Sequence, residues 1–366
     1  MKTKLICLSA LICLAVSVVF FSGCGKTVPE GEITVDEVIL PKNFVVVQGL
    51  SDCGDYDEEN WPRYIMNCKD GSVMVLVPES TYVMGSTVGR PNEVPAHAVR
   101  VDKFYIDLYE VSNAQFSRFA KAMRCNGRFM KKQDPCLSTA RITIDPNYPI
   151  LSSKWRAASD ECYQLCDSLR DCCMNVNTFK KYWEPCVNDC HPARAVSFWE
   201  AWYYTRWVGK DLPTEAEWEL AAKGTDDRLY PWGDIQPDSQ NVRLNYIAPS
   251  QRDGADYAAS VTSYAAGRSP YGVYNMSGNV WEWTKDFYDS TFYSVTQFAA
   301  GDNARCVLEV EREFVNPQGP MFGCSRVIRG GAFTSELEKC RTTFRNSANP
   351  NYHGMNIGFR GVLRIR

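Results

Sequence analysis

The chain has 366 residues, with 40 Lys and Arg against 43 Asp and Glu and a formal net charge of −3. That near-balance, with no basic stripe, argues against a nucleic-acid partner. The length allows one large domain or two ordinary ones, and 16 cysteines point to an oxidising compartment.

Lys2 and Lys4 precede an apolar run from Leu5 to Phe21, broken only by Cys7, Ser9, Cys13 and Ser17, and small residues follow at Ser22-Gly23. A charged start, an apolar middle and small residues before a cut make residues 1–23 a secretory signal. Phe21-Ser22-Gly23-Cys24 resembles a bacterial lipobox, with Phe21 where Leu is usual. The resemblance implies that Cys24 carries lipid, so that the mature chain is anchored in the bacterial cell envelope, facing periplasm or exterior. Its membrane contact is then the lipid anchor. Residues 24–72 read as a polar linker and a short cysteine-stapled lead-in.

Setting aside Cys7, Cys13 and Cys24 leaves 13 cysteines. Cys53 and Cys68 form a natural pair, eight more fall between Cys125 and Cys190, and Cys306, Cys324 and Cys340 remain. If pairing stays within these groups, the odd thiol is one of the last three. Cys162-x3-Cys166 and Cys186-x3-Cys190 have zinc-like spacing, but a disulfide framework is the stronger reading for an exported chain.

The domain proper spans residues 73–366, interrupted by a disulfide-rich insertion at about 125–190. It opens with a strand at Val73–Val77, and Val101 to Ile106 reads as a second. Ser112 or Asn113 caps a helix with Phe116, Phe119, Ala120 and Met123 on one face. Ser197 and Glu200 form a capping box for a helix that should bury Trp199, Trp202, Tyr203 and Trp207. Thr214 and Glu217 form another after Pro213, with Gly224 as the stop. Beyond about residue 225 the chain reads mostly as loops rich in Gly, Asn, Asp and aromatics, of the kind held by ions or disulfides.

Several strings, in order, then form a pattern. They include Met74-Val75-Leu76-Val77-Pro78, Glu110-Val111-Ser112-Asn113, Val196-Ser197-Phe198-Trp199-Glu200-Ala201 and Leu212-Pro213-Thr214-Glu215-Ala216-Glu217-Trp218-Glu219. Further on come Tyr271-Gly272-Val273-Tyr274-Asn275-Met276-Ser277-Gly278-Asn279-Val280-Trp281-Glu282-Trp283, Arg329-Gly330-Gly331-Ala332-Phe333 and Asn356-Ile357-Gly358-Phe359-Arg360. Together they resemble the formylglycine-generating enzyme, or sulfatase-modifying factor, family. The resemblance implies an α+β, C-type-lectin-like fold with sparse secondary structure.

It also implies two structural calcium sites, one on Asn241, Val242, Asp253 and Ala255, the other on Asn275, Gly278, Val280 and Glu282. Such loops supply the oxygens that hard cations take. The family's catalysts bind copper(I) through two cysteines and oxidise a substrate cysteine to an aldehyde. Cys340 matches the first of these, but Arg345 stands where the second belongs, and a guanidinium cannot hold copper(I). Cys324 or Cys306 could fold over to replace it; equally, Cys340 could pair with Cys324 as a staple.

The iron-dependent sulfoxide synthases of the wider family need clustered histidines, whereas His97, His191 and His353 are far apart. The first two read as structural. Glu215, Glu217 and Glu219 look catalytic, yet they begin a helix, where negative charge is favourable. Two functions stand. The favoured one is a binding or envelope-assembly module with an unknown protein or glycan partner. The other is a copper-dependent oxidase using Cys340.

Overall fold

The computed structural model describes residues 34–35, 38–41, 43–47, 56–122, 188–237, 242–247, 255, 257–296 and 314–365. Cys24, Cys53, most of the cysteine-rich insertion, Asn241 and Asp253 lie outside them. The described residues form two compact units, divided between Val73 and Met74. In the first, β1 (Thr34–Val35) pairs antiparallel with β2 (Val38–Ile39), and β3 (Phe44–Val46) with β4 (Tyr64–Asn67).

The second unit follows with β5 (Val73–Val77), β6 (Ser80–Met84), β7 (His97–Val101), β8 (Phe104–Asp107) and the helices α1 (Asn113–Ala122), α2 (Phe198–Trp207) and α3 (Glu215–Lys223). Then come β9 (Trp281–Phe287), α4 (Phe292–Thr296), β10 (Phe314–Val315), β11 (Arg326–Arg329), β12 (Asn346–Ala348), β13 (Ile357–Gly358) and β14 (Val362–Arg364). Single 3-10 turns lie at Ala265–Gly267 and Leu337–Cys340. Among the described residues no helix is long and apolar enough to cross a membrane.

The apolar run of β5 is buried from Met74 to Val77. It pairs antiparallel with β8, which pairs in turn with the last strand, β14. Chain start and chain end of this unit therefore share one sheet. The expected strand from Val101 to Ile106 is instead the end of β7 and most of β8, separated by Asp102 and Lys103. The backbone N–H of Asp102 donates to Asn316 Oδ1 at 2.9 Å, outside any strand ladder. β7 joins β6 antiparallel and β10 in parallel.

The third sheet has the order β12-β11-β9-β13. Its seven-residue centre, β9, comes from the stretch expected to be mostly loop. Trp281, Glu282, Trp283 and Thr284 are all buried there, which hides the alternation that marks a half-exposed strand.

The main core lies between this sheet and the helices. Phe116 and Phe119 of α1, Phe198, Ala201 and Tyr204 of α2, Trp283, Ile328 and Phe359 form one buried cluster. The ring centres of Tyr204 and Phe359 are 5.3 Å apart, edge to face, a favoured aromatic geometry. The face of α2 differs from expectation. Phe198, Ala201 and Tyr204 are fully buried, while Trp199, Trp202, Tyr203 and Trp207 pack partly buried around them. Spacing of three places the first set on one stripe, and the wide indoles take its flanks.

Candidate functional site

Both predicted capping boxes are formed. In α3, Glu217 N–H donates to Thr214 Oγ1 at 3.1 Å, and Thr214 N–H donates to Glu217 Oε2 at 2.7 Å. At α1 it is Ser112 that caps, its Oγ accepting from Gln115 N–H at 3.3 Å. Met123 lies outside the described residues.

The acids of α3 do more than favour a helix start. Glu215 takes a two-pronged ion pair from Arg345, Nε at 2.7 Å and Nη2 at 2.9 Å, and a third contact from Arg329 at 3.3 Å. Glu217 pairs with Arg364 at 2.6 and 2.7 Å. Glu219 binds Arg329 at 2.5 Å through Oε2, while Oε1 accepts from Gly85 N–H at 2.8 Å and meets Lys223 at 3.1 Å. Each acid thus anchors an arginine from the C-terminal segment. Burial alone would raise the Glu215 pKa, but Arg345 and Arg329 outweigh it and hold the carboxyl below its ordinary value. Sequence reasoning missed these pairs because the partners are 110–147 residues away. The available signal was the run of arginines at 329, 345, 360 and 364.

Cys340 ends the Leu337–Cys340 turn and is fully buried. Its Sγ–H points to Glu336 O at 3.7 Å, and burial pushes the thiol up to about 12. It is a free thiol, so the staple to Cys324, one of the alternatives left open by the sequence, is not made. The backbone explains the snug fit. Gly331 has φ +76°, and a Cβ there would lie 2.5 Å from Sγ. Arg345 does not share a site with that sulfur. Its remaining N–H groups donate to Asn92 O at 2.8 Å and Asp289 O at 3.3 Å, and its guanidinium lies 4.0 Å from the centre of the Tyr293 ring.

Beside this segment opens a groove of about 510 Å³. Arg341 forms its floor, held by Glu93 through two contacts of 2.8 Å, and Thr343 Oγ1 donates to the same carboxylate at 2.9 Å. Arg90 and Glu338, paired at 3.0 Å, form one rim; Arg228, Asp234 and the exposed Val88 complete the edge. Cys340 does not line it.

The second predicted cation set lies on a tight loop. Asn275, Gly278 and Asn279 have φ of 55°, 77° and 63°, which asparagine and glycine tolerate. Glu282 is not left for a cation: Arg360 spans both its oxygens at 2.6 and 2.7 Å, and Trp218 Nε1 donates at 2.8 Å. Asn275 differs. Its Oδ1 is buried without a hydrogen-bond partner. Glu110, fully enclosed nearby, accepts from Asn275 and Asn279, and burial, reinforced by the Glu282 charge, raises its pKa to about 8. Of the first set, Val242 and Ala255 are described and half-buried. Among the described residues no three His, Cys, Asp or Glu side chains converge, so a cation here would need amide and carbonyl oxygens.

The histidines are separate, as expected. His97 Nδ1 lies 3.0 Å from Pro95 O, its ring meets Tyr293 edge-on, and burial lowers its pKa. Burial likewise lowers that of His191. His353 has a role the sequence did not give: Nε2 is 2.9 Å from Glu200 Oε2, and the contact with that carboxylate raises its pKa. It ties the loop after β12 to the first turn of α2. With the folded pKa raised, this stability is fully present below the unfolded value near 6.5 and is lost as pH rises through the folded one. His353→Gln should therefore cost about 1 kcal/mol at pH 5.5 and almost nothing at pH 9, measured by urea unfolding. Equal losses at both pH values would refute the ion pair.

A family model described as "Sulfatase-modifying factor enzyme 1-like domain" matches residues 65–365. A formylglycine-generating enzyme of Streptomyces coelicolor is 31% identical over 310 residues, covering 78% of this chain and 87% of that protein. A Chlamydia pneumoniae protein named serine/threonine-protein kinase pkn1 is 31% identical over 293 residues, 80% of this chain, but the match spans only 38% of that protein. Among solved structures, PvdO from Pseudomonas aeruginosa aligns with a TM-score of 0.54 at 21% identity, over 82% of this chain and 98% of PvdO. Treponema denticola variable protein 1 aligns at 0.51 and 16%, over 80% and 95%. The fold is the α+β, C-type-lectin-like one expected from the motifs.

Proposed function

The chain belongs to the sulfatase-modifying factor enzyme 1-like family, and we propose that within it the chain is an exported, lipid-anchored binding or envelope-assembly module. The observation that carries this reading is the place of Arg345. Its guanidinium is committed to Glu215 in the core, so the position expected to hold a second sulfur holds a structural cation instead. Cys340 alone offers a buried thiol with its pKa pushed up to about 12, unsuited to form the thiolate that copper(I) takes. The groove floored by Arg341 supplies the recognition surface. Charges of both signs beside exposed Val88 suit a protein segment carrying mixed charge and an apolar side chain.

Calcium fits this framework in part. The unpartnered Asn275 Oδ1 is the kind of oxygen a hard cation takes. Asn275 with carbonyls of Gly278 and Val280 would hold the ion, and Glu282 would not, because Arg360 already neutralises it. Bound calcium would brace the loop before β9 and perform no chemistry.

A second reading, a copper-dependent oxidase using Cys340, is favoured by the free thiol and by the Streptomyces relative's name. Alkylation of the native chain, mapped by peptide mass, together with copper(I) competition against a chromogenic chelator, separates the two. The binding module should leave Cys340 unmodified until denaturant is added and fail to compete for copper(I). Rapid native alkylation at Cys340 with tight copper(I) binding would establish the oxidase instead.

A further inference from the structure

The orientation of the Asn275 amide is forced. Its Nδ2 lies 2.8 Å from Glu110 Oε2 and 3.0 Å from Val261 O, both acceptors, so the nitrogen faces them and Oδ1 faces away. Glu110 acts on Asn279 in the same way, through Oε1 at 2.9 Å. Asn279 Oδ1 then accepts from Asn245 Nδ2 at 3.3 Å, and Asn245 also donates to Tyr257 O at 2.8 Å. This fixes a third amide, and Asn245 Oδ1 is likewise buried without a donor. One carboxylate thus sets two asparagines directly, and a third through Asn279. Leaving a buried carbonyl oxygen without a donor is costly, and a hard cation removes that cost.

We propose that Glu110 is the positioning residue of the calcium site, holding the Asn275 amide so that Oδ1 faces the ion while Glu110 itself does not touch it. The inference rests on the calcium reading above. Glu282 cannot fill this role, since both its oxygens are turned to Arg360 and Trp218. Glu110 is suited to it because its hydrogen bonds come from neutral amides, so it orients them without a competing guanidinium contact.

The test is calcium chloride titration of the detergent-solubilised full chain by calorimetry, with thermal melts in calcium and in EGTA. Wild type should bind calcium and melt higher in its presence. Glu110→Gln replaces one acceptor by a donor facing Asn275 or Asn279, and should weaken calcium binding at least tenfold. Because Glu110 acts through Asn275, adding Glu110→Gln to Asn275→Ala should weaken binding no further. Should Glu110→Gln fail to fold, Glu110→Asp, which keeps the carboxyl group and shortens the reach, should still weaken binding several-fold. A wild type indifferent to calcium and EGTA overturns the calcium reading itself. Wild-type binding with unchanged affinity in the folded Glu110 variants overturns the positioning role alone.

Discussion

Arg345→Cys should lower the stability of the folded unit by about 3–5 kcal/mol and create no copper site. The substitution places a sulfur where the resemblance calls for one, so a naive reading expects gain of function. Geometry gives the opposite sign. Arg345 supplies two of the three cationic contacts to Glu215, at 2.7 and 2.9 Å, and the one that remains, from Arg329, is 3.3 Å long and shared with Glu219. Removing it leaves a buried carboxylate half-paired, strips Asn92 O of its donor and leaves Asp289 O with only the long contact from Phe292 N–H. A buried pair that loses one partner costs more than the pair contributed, because the survivor stays desolvated. Arg345→Lys should recover only part of the loss, since an ammonium cannot span both oxygens of Glu215. Urea unfolding of the three proteins checks the order. A stable Arg345→Cys chain that binds copper(I) tightly would refute this account and revive the oxidase.

The fold was legible where local chemistry is decisive. Ser197 with Glu200 and Thr214 with Glu217 announce helix starts within four residues, and both boxes form. The apolar run of β5 is equally self-evident. What stayed hidden depends on partners distant in sequence. Glu215, Glu217 and Glu219 were read as charges suited to a helix start, which holds but omits the arginines they bind. Glu282 was assigned to calcium because its motif lies in a Gly-Asn loop; that motif gave no sign of the contact its carboxylate makes with Arg360, 78 residues on. His353 had no motif at all, because its partner Glu200 is a helix-capping residue. β9 was missed for another reason. A strand buried on both faces loses the period of two, and Trp-Glu-Trp reads as a loop until Glu282 and the Trp283 indole are seen to be paired inside.

Asp286→Asn should stabilise the chain at pH 8 relative to wild type, by an amount that vanishes near pH 4. Asp286 sits at the end of β9 beneath the first turn of α3, where its Oδ2 accepts the backbone N–H of Glu215 at 2.8 Å. Burial, then the nearby Glu215 charge, raise its pKa from an ordinary 3.8 to about 7. The direction of the pH effect follows. Between these values the folded state binds a proton that the unfolded state has released, so stability is fully present below about 3.8 and falls as pH rises towards 7. A shift of that size corresponds to about 4 kcal/mol across the window. Other acids oppose it. Glu93, Asp211 and Glu215 have lowered pKa values, each because its cationic partners outweigh burial, and their contributions grow as pH rises from the acid side. The wild-type profile alone mixes these effects, whereas the difference between wild type and Asp286→Asn isolates one group. Asparagine keeps an oxygen for the Glu215 N–H and cannot ionise, so the difference should grow between pH 4 and 7 and level off above. A flat difference across that range would mean that Asp286 is ionised in the fold at every pH tested, stabilised by the start of α3 despite its burial.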